Sequence, residues 1–106
     1  AHGSYSIKAS GTVYANEVTA ASDIRLKTNI QTIENGLDKV SKMRGVTFDK
    51  IEGASSGVIA QELEKIAPEL VNNNSKYKSV AYGNLVGYLI EAIKELKDKV
   101  EELENG

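Results

Sequence analysis

The chain contains no cysteine and no tryptophan, and only one histidine, one proline, one methionine and one phenylalanine. Without cysteine there are no disulfides and no thiolate metal sites. The single histidine, His2, lies in Ala1-His2-Gly3-Ser4, which reads as a tag remnant as much as native sequence. A histidine-based catalytic triad and a multi-histidine metal site are therefore excluded as expectations, and no metal or cofactor is expected. Five of the six aromatic residues are tyrosines, which argues against a large aromatic-lined ligand pocket. No apolar run approaches the roughly 18–20 residues needed to span a bilayer, so no membrane association is expected. Thirteen basic and fifteen acidic residues give a net charge of −2, with no basic patch of the kind that binds nucleic acid.

What is present fits one small domain: 106 residues, 41% hydrophobic and 26% charged. A chain of this length buries a limited core, and partners or staples commonly supplement it. Ser4–Ser10 and Thr12–Thr19 alternate polar with larger or apolar residues around Gly11, which predicts two short strands. Two strands are not stable alone in water, so residues 1–21 read as the end of a longer β-structured stem. Asn29–Ile33 is compatible with extended chain. A short helix is expected over Glu34–Lys42, with Leu37, Val40 and Ser41 or Met43 on one face, then a strand over Arg44–Phe48 and a loop over Asp49–Ser56. Gly57–Ala60 reads as a buried strand leading into a helix at Gln61–Ile66, which Pro68 stops. Asn72–Ser75 reads as a turn and Lys78–Tyr82 as a further strand.

The C-terminal segment carries the clearest pattern. Val86, Leu89, Ile93, Leu96, Val100 and Leu103 are spaced 3, 4, 3, 4 and 3 apart, an a/d heptad seam. Two readings stay open on pattern alone. The stripe joins copies of the chain in a coiled coil, or it packs on the chain's own small core. The expected architecture is α+β: short stem strands over 1–21, a small mixed body over 22–81, and a long helix over 82–106.

Chemistry concentrates in Ser22-Asp23-Ile24-Arg25-Leu26-Lys27. A serine is a poor nucleophile until a base takes its proton. With no usable histidine, lysine is the main alternative base. A free lysine titrates near about 10.4 and must be desolvated or set near other cations to serve. Arg25 is such a cation, if the fold brings the two together. In an extended strand, Arg25 and Lys27 share one face and Ser22 lies on the other. A bend, or a Lys27 from a neighbouring chain, is needed to form the pair. By default a Ser-Asp pair before charged residues is a helix cap or a solvated loop. The Glu62/Glu64 pair reads as the wet face of a helix. Gly53-Ala54-Ser55-Ser56-Gly57 lacks the lysine of a phosphate-binding loop.

The order of segments narrows this. Ser22-Asp23-Ile24-Arg25-Leu26-Lys27-Thr28-Asn29-Ile30 is followed by Leu37–Val40, Met43–Phe48, Gly57–Glu64, Pro68–Val71, Val80–Tyr82, and Leu89–Leu96. This series closely resembles the S74 peptidase family, the intramolecular chaperones of endosialidase tailspikes, phage fibres and neck appendages, over about residues 22–104. The resemblance implies a homotrimer that assembles the β-structured fibre preceding it in the same chain, in the host cytoplasm, and then removes itself by one cut. It also implies Ser22 as nucleophile, Lys27 as general base, and Ser22–Asp23 as the severed bond. The bond on either side of Ser22, and a Lys27 acting within or between chains, remain open from the residues alone. The competing expectations are a non-catalytic trimerisation module, a monomeric α+β domain, and the self-cleaving domain of a membrane-bound transcription factor.

Overall fold

The computed structural model describes residues 19–106, so the strands expected over 4–19 lie outside the described residues except at Thr19. The chain divides into two units, one ending at Ile30 and one running from Gln31 to Gly106. Each is described by itself.

The second unit is mixed α/β, with two small antiparallel sheets and a long C-terminal helix. Helix α1 (Gly36–Ser41) is followed by strands β1 (Val46–Lys50) and β2 (Gly53–Gly57). Helix α2 (Ala60–Ile66), strands β3 (Val71–Asn72) and β4 (Ser79–Val80), and helix α3 (Tyr82–Asn105) complete it. β1 pairs with β2 from Val46↔Gly57 to Lys50↔Gly53, leaving Ile51 and Glu52 at the hairpin tip. The loop expected over 49–56 is thus mostly strand. Gly-Ala-Ser-Ser-Gly has little strand propensity of its own, and what orders it is the ladder offered by Val46–Lys50. The strand expected at 57–60 shifts accordingly to 53–57, and Ala60 opens α2 instead.

Helix α2 consists largely of good helix formers, Ala-Gln-Glu-Leu-Glu-Lys-Ile. It ends at Ala67 (φ −143°, ψ 77°), because the ring of Pro68 crowds the helical conformation of the residue before it. Pro68 then starts a 3-10 turn, Pro68–Leu70, which turns Leu70 inward. Leu63, Ala67, Leu70 and Tyr88 form the core, each under a tenth exposed, ringed by Ile33, Val40, Met43, Val58, Val71, Val80 and Leu85. β3 and β4 close the loop around Asn72–Ser75 through Val71↔Val80 and Asn72↔Ser79. The side chains of Glu64, Asn73 and Lys78 clamp that loop: Asn73 Nδ2 donates to Glu64 Oε2 at 2.8 Å, and Lys78 lies 3.0 Å from Glu64 Oε1.

Helix α3 meets the core with a stripe one residue ahead of its heptad seam. Tyr88 and Ala92 are buried, and Leu85 and Glu95 are half-buried, at spacings of 3, 4 and 3. Consecutive helical residues are about 100° apart, so the seam residues 86, 89, 93 and 96 face away from the core. All six seam residues are 40–83% exposed. The reading in which the heptad stripe covers the chain's own core is therefore overturned: that work falls to Leu85, Tyr88 and Ala92. From Leu96 onward every residue of the helix is exposed.

Two contacts set how the first turns of the unit dock on α3. Asn35 precedes α1 in the left-handed region (φ 60°) and makes no side-chain cap. The Glu95 carboxylate fills that role from α3, accepting from Leu37 N at 3.2 Å. Gly36 permits this approach, since a Cβ there would sit 3.1 Å from Ala92 N. At the other end, Tyr82 Oη accepts from Val58 N at 3.1 Å, and a Cβ on Gly57 would collide with that hydroxyl. Gly57 also has φ +157°, within the region that L side chains resist. Gly57→Ala is expected to lower stability by about 1–2 kcal/mol, measured as a shift in the denaturant midpoint at unchanged slope.

Glu62 and Arg44 form a two-point ion pair, with Nε–Oε1 3.1 Å and Nη2–Oε2 2.6 Å. The carboxyl of Glu62 is held below the usual range by Arg44, and that of Glu64 by hydrogen bonds from Asn73 and Lys78. Both groups are more acidic folded than unfolded. Their contribution is present above the ordinary glutamate range, about pH 4.3, and is lost as the pH falls through the lower folded values. Being exposed pairs, they are expected to give a shallow acid limb, seen as a modest fall in melting temperature below about pH 4 that Glu62→Gln flattens.

Candidate catalytic turn and relationship to known proteins

The described part of the first unit bends sharply. Ile24–Leu26 form a single 3-10 turn between two extended residues, Asp23 (φ −68°, ψ 136°) and Lys27 (φ −124°, ψ 145°). Asp23 builds it twice over. Its carbonyl accepts from Leu26 N at 3.0 Å, and its carboxylate Oδ1 accepts from Arg25 N at 2.8 Å. Ile24 carbonyl completes the turn by accepting from Lys27 N at 3.1 Å. This is the local geometry for which aspartate is favoured before short turns, its side chain replacing a missing backbone partner.

The bend removes the obstacle that an extended strand imposes. It carries Lys27 round to the side of Ser22, and Lys27 Nζ donates to Ser22 Oγ at 2.7 Å within one chain. That separation is within reach for proton transfer between the two atoms. The side chains of Ile24 and Leu26 are 70% exposed, so the turn rests on its own hydrogen bonds.

Arg25 stands differently from the expectation of a cation acting on Lys27. Its guanidinium grips Asp23 through Nε–Oδ1 at 3.1 Å and Nη2–Oδ2 at 2.8 Å. The side-chain hydrogen bond from Arg25, followed by its backbone N–H, holds the Asp23 carboxyl below the usual range, and Asp23 in turn raises Arg25. The arginine's charge is thus paired. The signal for this arrangement is present in the sequence as Asp-x-Arg, an aspartate two residues before a fork-shaped donor. Reading the segment as a flat strand hid it.

Residues 22–72 match the model of the Peptidase_S74 family, described as chaperone of endosialidase. Over those residues, just under half of the chain, the sequence is similar to that family. The match begins at Ser22, one residue before the Asp23 that caps the turn. Among individual proteins, the chain is 38% identical over 105 residues to the long tail fiber protein Gp37 of Enterobacteria phage K3, covering 88% of this chain and 8% of that protein. It is 34% identical over 106 residues to Gp37 of Enterobacteria phage M1, covering 88% and 42% respectively. It is also 27% identical over 111 residues to Myelin gene regulatory factor-like A of Dictyostelium discoideum, covering 90% and 11%. The chain spans less than half the length of each of these relatives.

Among the described residues, no group of three or more histidine, cysteine, aspartate or glutamate side chains is placed to hold a metal ion. No helix among them is long and apolar enough to cross a membrane.

Proposed function

We propose that this chain is the intramolecular chaperone of a phage tail fibre: it gathers three copies through α3, assembles the β-structured fibre formed by the segment ending near residue 21, and then releases itself by serine–lysine autoproteolysis beside Ser22. The observation that carries the reading is the 2.7 Å approach of Lys27 Nζ to Ser22 Oγ at the first residues of a chaperone-of-endosialidase segment. Supporting it are the tail fibre relatives and the heptad seam, whose six residues stay 40–83% exposed.

In the reaction, Lys27 in its neutral form takes the Ser22 hydroxyl proton as Oγ attacks a backbone carbonyl. The protonated amine then gives that proton to the departing backbone nitrogen, and water hydrolyses the resulting ester. The severed bond is Ser22–Asp23. A serine attacking its own carbonyl would close a four-membered ring, so the attacking Oγ at this bond belongs to another copy in the trimer. Attack on the carbonyl of Ala21 would instead close a five-membered ring within one chain and place the break one residue earlier. The intact mass of the two products distinguishes these bonds directly.

The physical case for such a role lies in folding rates. Intertwined β-fibres depend on contacts distant in sequence and between chains, which form slowly. A helical trimer raises the local concentration of the three strands. Removing it afterwards leaves a fibre that is trapped kinetically. The second reading, a self-cleaving module of a gene-regulatory protein, has the Dictyostelium relative behind it at lower identity. The sequence upstream of residue 1 separates the two.

A further inference from the structure

Three charged side chains occupy the described part of the first unit, at alternate positions: Asp23, Arg25 and Lys27. One anion is therefore offered two cations. If Asp23 engaged Lys27, the amine would be held in its charged form, and its protons would point at a carboxylate instead of the serine. Neither state accepts the hydroxyl proton. The observed turn resolves the competition in the other sense. Arg25 places three hydrogen bonds on the Asp23 carboxylate, one from its backbone N–H and two from its guanidinium, using both oxygens. Lys27 is directed to Ser22 Oγ instead.

We propose that Arg25 is a positioning residue for self-cleavage: by occupying both oxygens of Asp23 it keeps that carboxylate from pairing with Lys27 and leaves the amine to Ser22. This rests on the self-cleaving reading above. The chemistry of the side chains makes arginine the suitable partner. Its planar fork matches a carboxylate at two points, whereas an ammonium engages as a single compact charge. Arginine is also always protonated, so it holds the aspartate throughout the pH range in which Lys27 must lose its proton. The backbone part of the arrangement is independent of the side chain, since Arg25 N would still be capped by Asp23 if residue 25 were alanine. Arg25→Ala therefore removes the competitor for the carboxylate while keeping the turn.

The test is a double-mutant cycle in pH–rate profiles. Pulse-labelled chain is captured uncut in denaturant, diluted into buffers from about pH 6 to 10, and its cleavage followed by intact mass. Arg25→Ala is expected to slow cleavage about two- to fivefold near pH 7, the range open to an exposed ion pair, and to move the rising limb to higher pH so that the profiles converge in alkaline buffer. In the Asp23→Asn background, where the side-chain oxygen still caps residue 25 but carries no charge, Arg25→Ala is expected to leave the limb in place. Arg25→Lys, lacking the fork, should behave between wild type and Arg25→Ala. A profile for Arg25→Ala that superimposes on wild type, or one lowered by a constant factor at every pH in both backgrounds, overturns the proposal. A wild-type chain that stays whole, or a Ser22→Ala chain cut at the same bond, overturns the self-cleaving reading instead.

Discussion

Ser22→Ala and Lys27→Ala are each expected to leave the chain whole, with a loss of cleavage rate on the order of 10⁴-fold or more, the scale seen when one member of a catalytic pair is removed. The first removes the hydroxyl oxygen that Lys27 meets at the turn. The second leaves that oxygen with no base, since Lys27 Nζ, at 2.7 Å, is the group that meets it. Lys27→Arg separates the two roles a lysine can play. It preserves the positive charge and the reach but cannot give up its proton near neutral pH, so it is expected to be as inactive as Lys27→Ala. If Lys27→Arg is cut at an appreciable rate, charge is what matters and Lys27 is no base. Neither residue is buried, and neither belongs to the core around Leu63, Leu70 and Tyr88. Both variants should therefore unfold within about 0.5 kcal/mol of wild type, which separates lost chemistry from lost structure.

Placing aspartate at Leu89 and Leu96 together is expected to convert the proposed trimer into single chains. These residues are exposed within one chain and lie in the middle of the seam running from Val86 to Leu103. In a coiled coil each would be buried against neighbouring copies, an apolar burial of about 2 kcal/mol per leucine. Six unpaired carboxylates brought together in the assembled seam would oppose association further. The inner stripe of Leu85, Tyr88 and Ala92 is untouched, so helix content and the core should persist. Light scattering at micromolar concentration reads the result as a threefold fall in mass. A variant that remains trimeric would place the interface elsewhere, and a wild-type chain that is already monomeric would remove the assembly role. The same variant bears on the chemistry. If Ser22–Asp23 is cut by the serine of another copy, the single chains should no longer be cleaved.

The sequence allowed the strongly patterned parts to be read correctly. Helix α3 follows from its periodicity, α2 from its run of helix formers, and the end of α2 from Pro68. The turn at Asn72–Ser75 follows from its amides, and β3 and β4 close around it. Less visible were the features that depend on a partner in space. Gly53–Gly57 becomes a strand only because β1 presents a ladder to it. The cap of α1 comes from Glu95, 58 positions from the Leu37 N–H that donates to it. The conspicuous heptad stripe drew attention from the quieter stripe beside it, where an alanine and a tyrosine carry the packing. Glu62 and Glu64, which read as a wet helix face, serve as anchors for Arg44 and for Asn73 with Lys78. At the candidate site, residue types and order were readable, but the approach of Ser22 and Lys27 was not. Period-two reasoning places them on opposite faces, and the deciding element is a three-residue turn written by Asp23 and Arg25.

The central claim is that this segment cuts itself beside Ser22, and the intact mass of the purified wild-type chain after folding tests it most directly. Two products whose masses sum to the chain plus one water, divided at Ser22–Asp23, are the predicted result. A single species that retains the full mass after prolonged incubation as a folded trimer would contradict the claim and leave an assembly module without a blade.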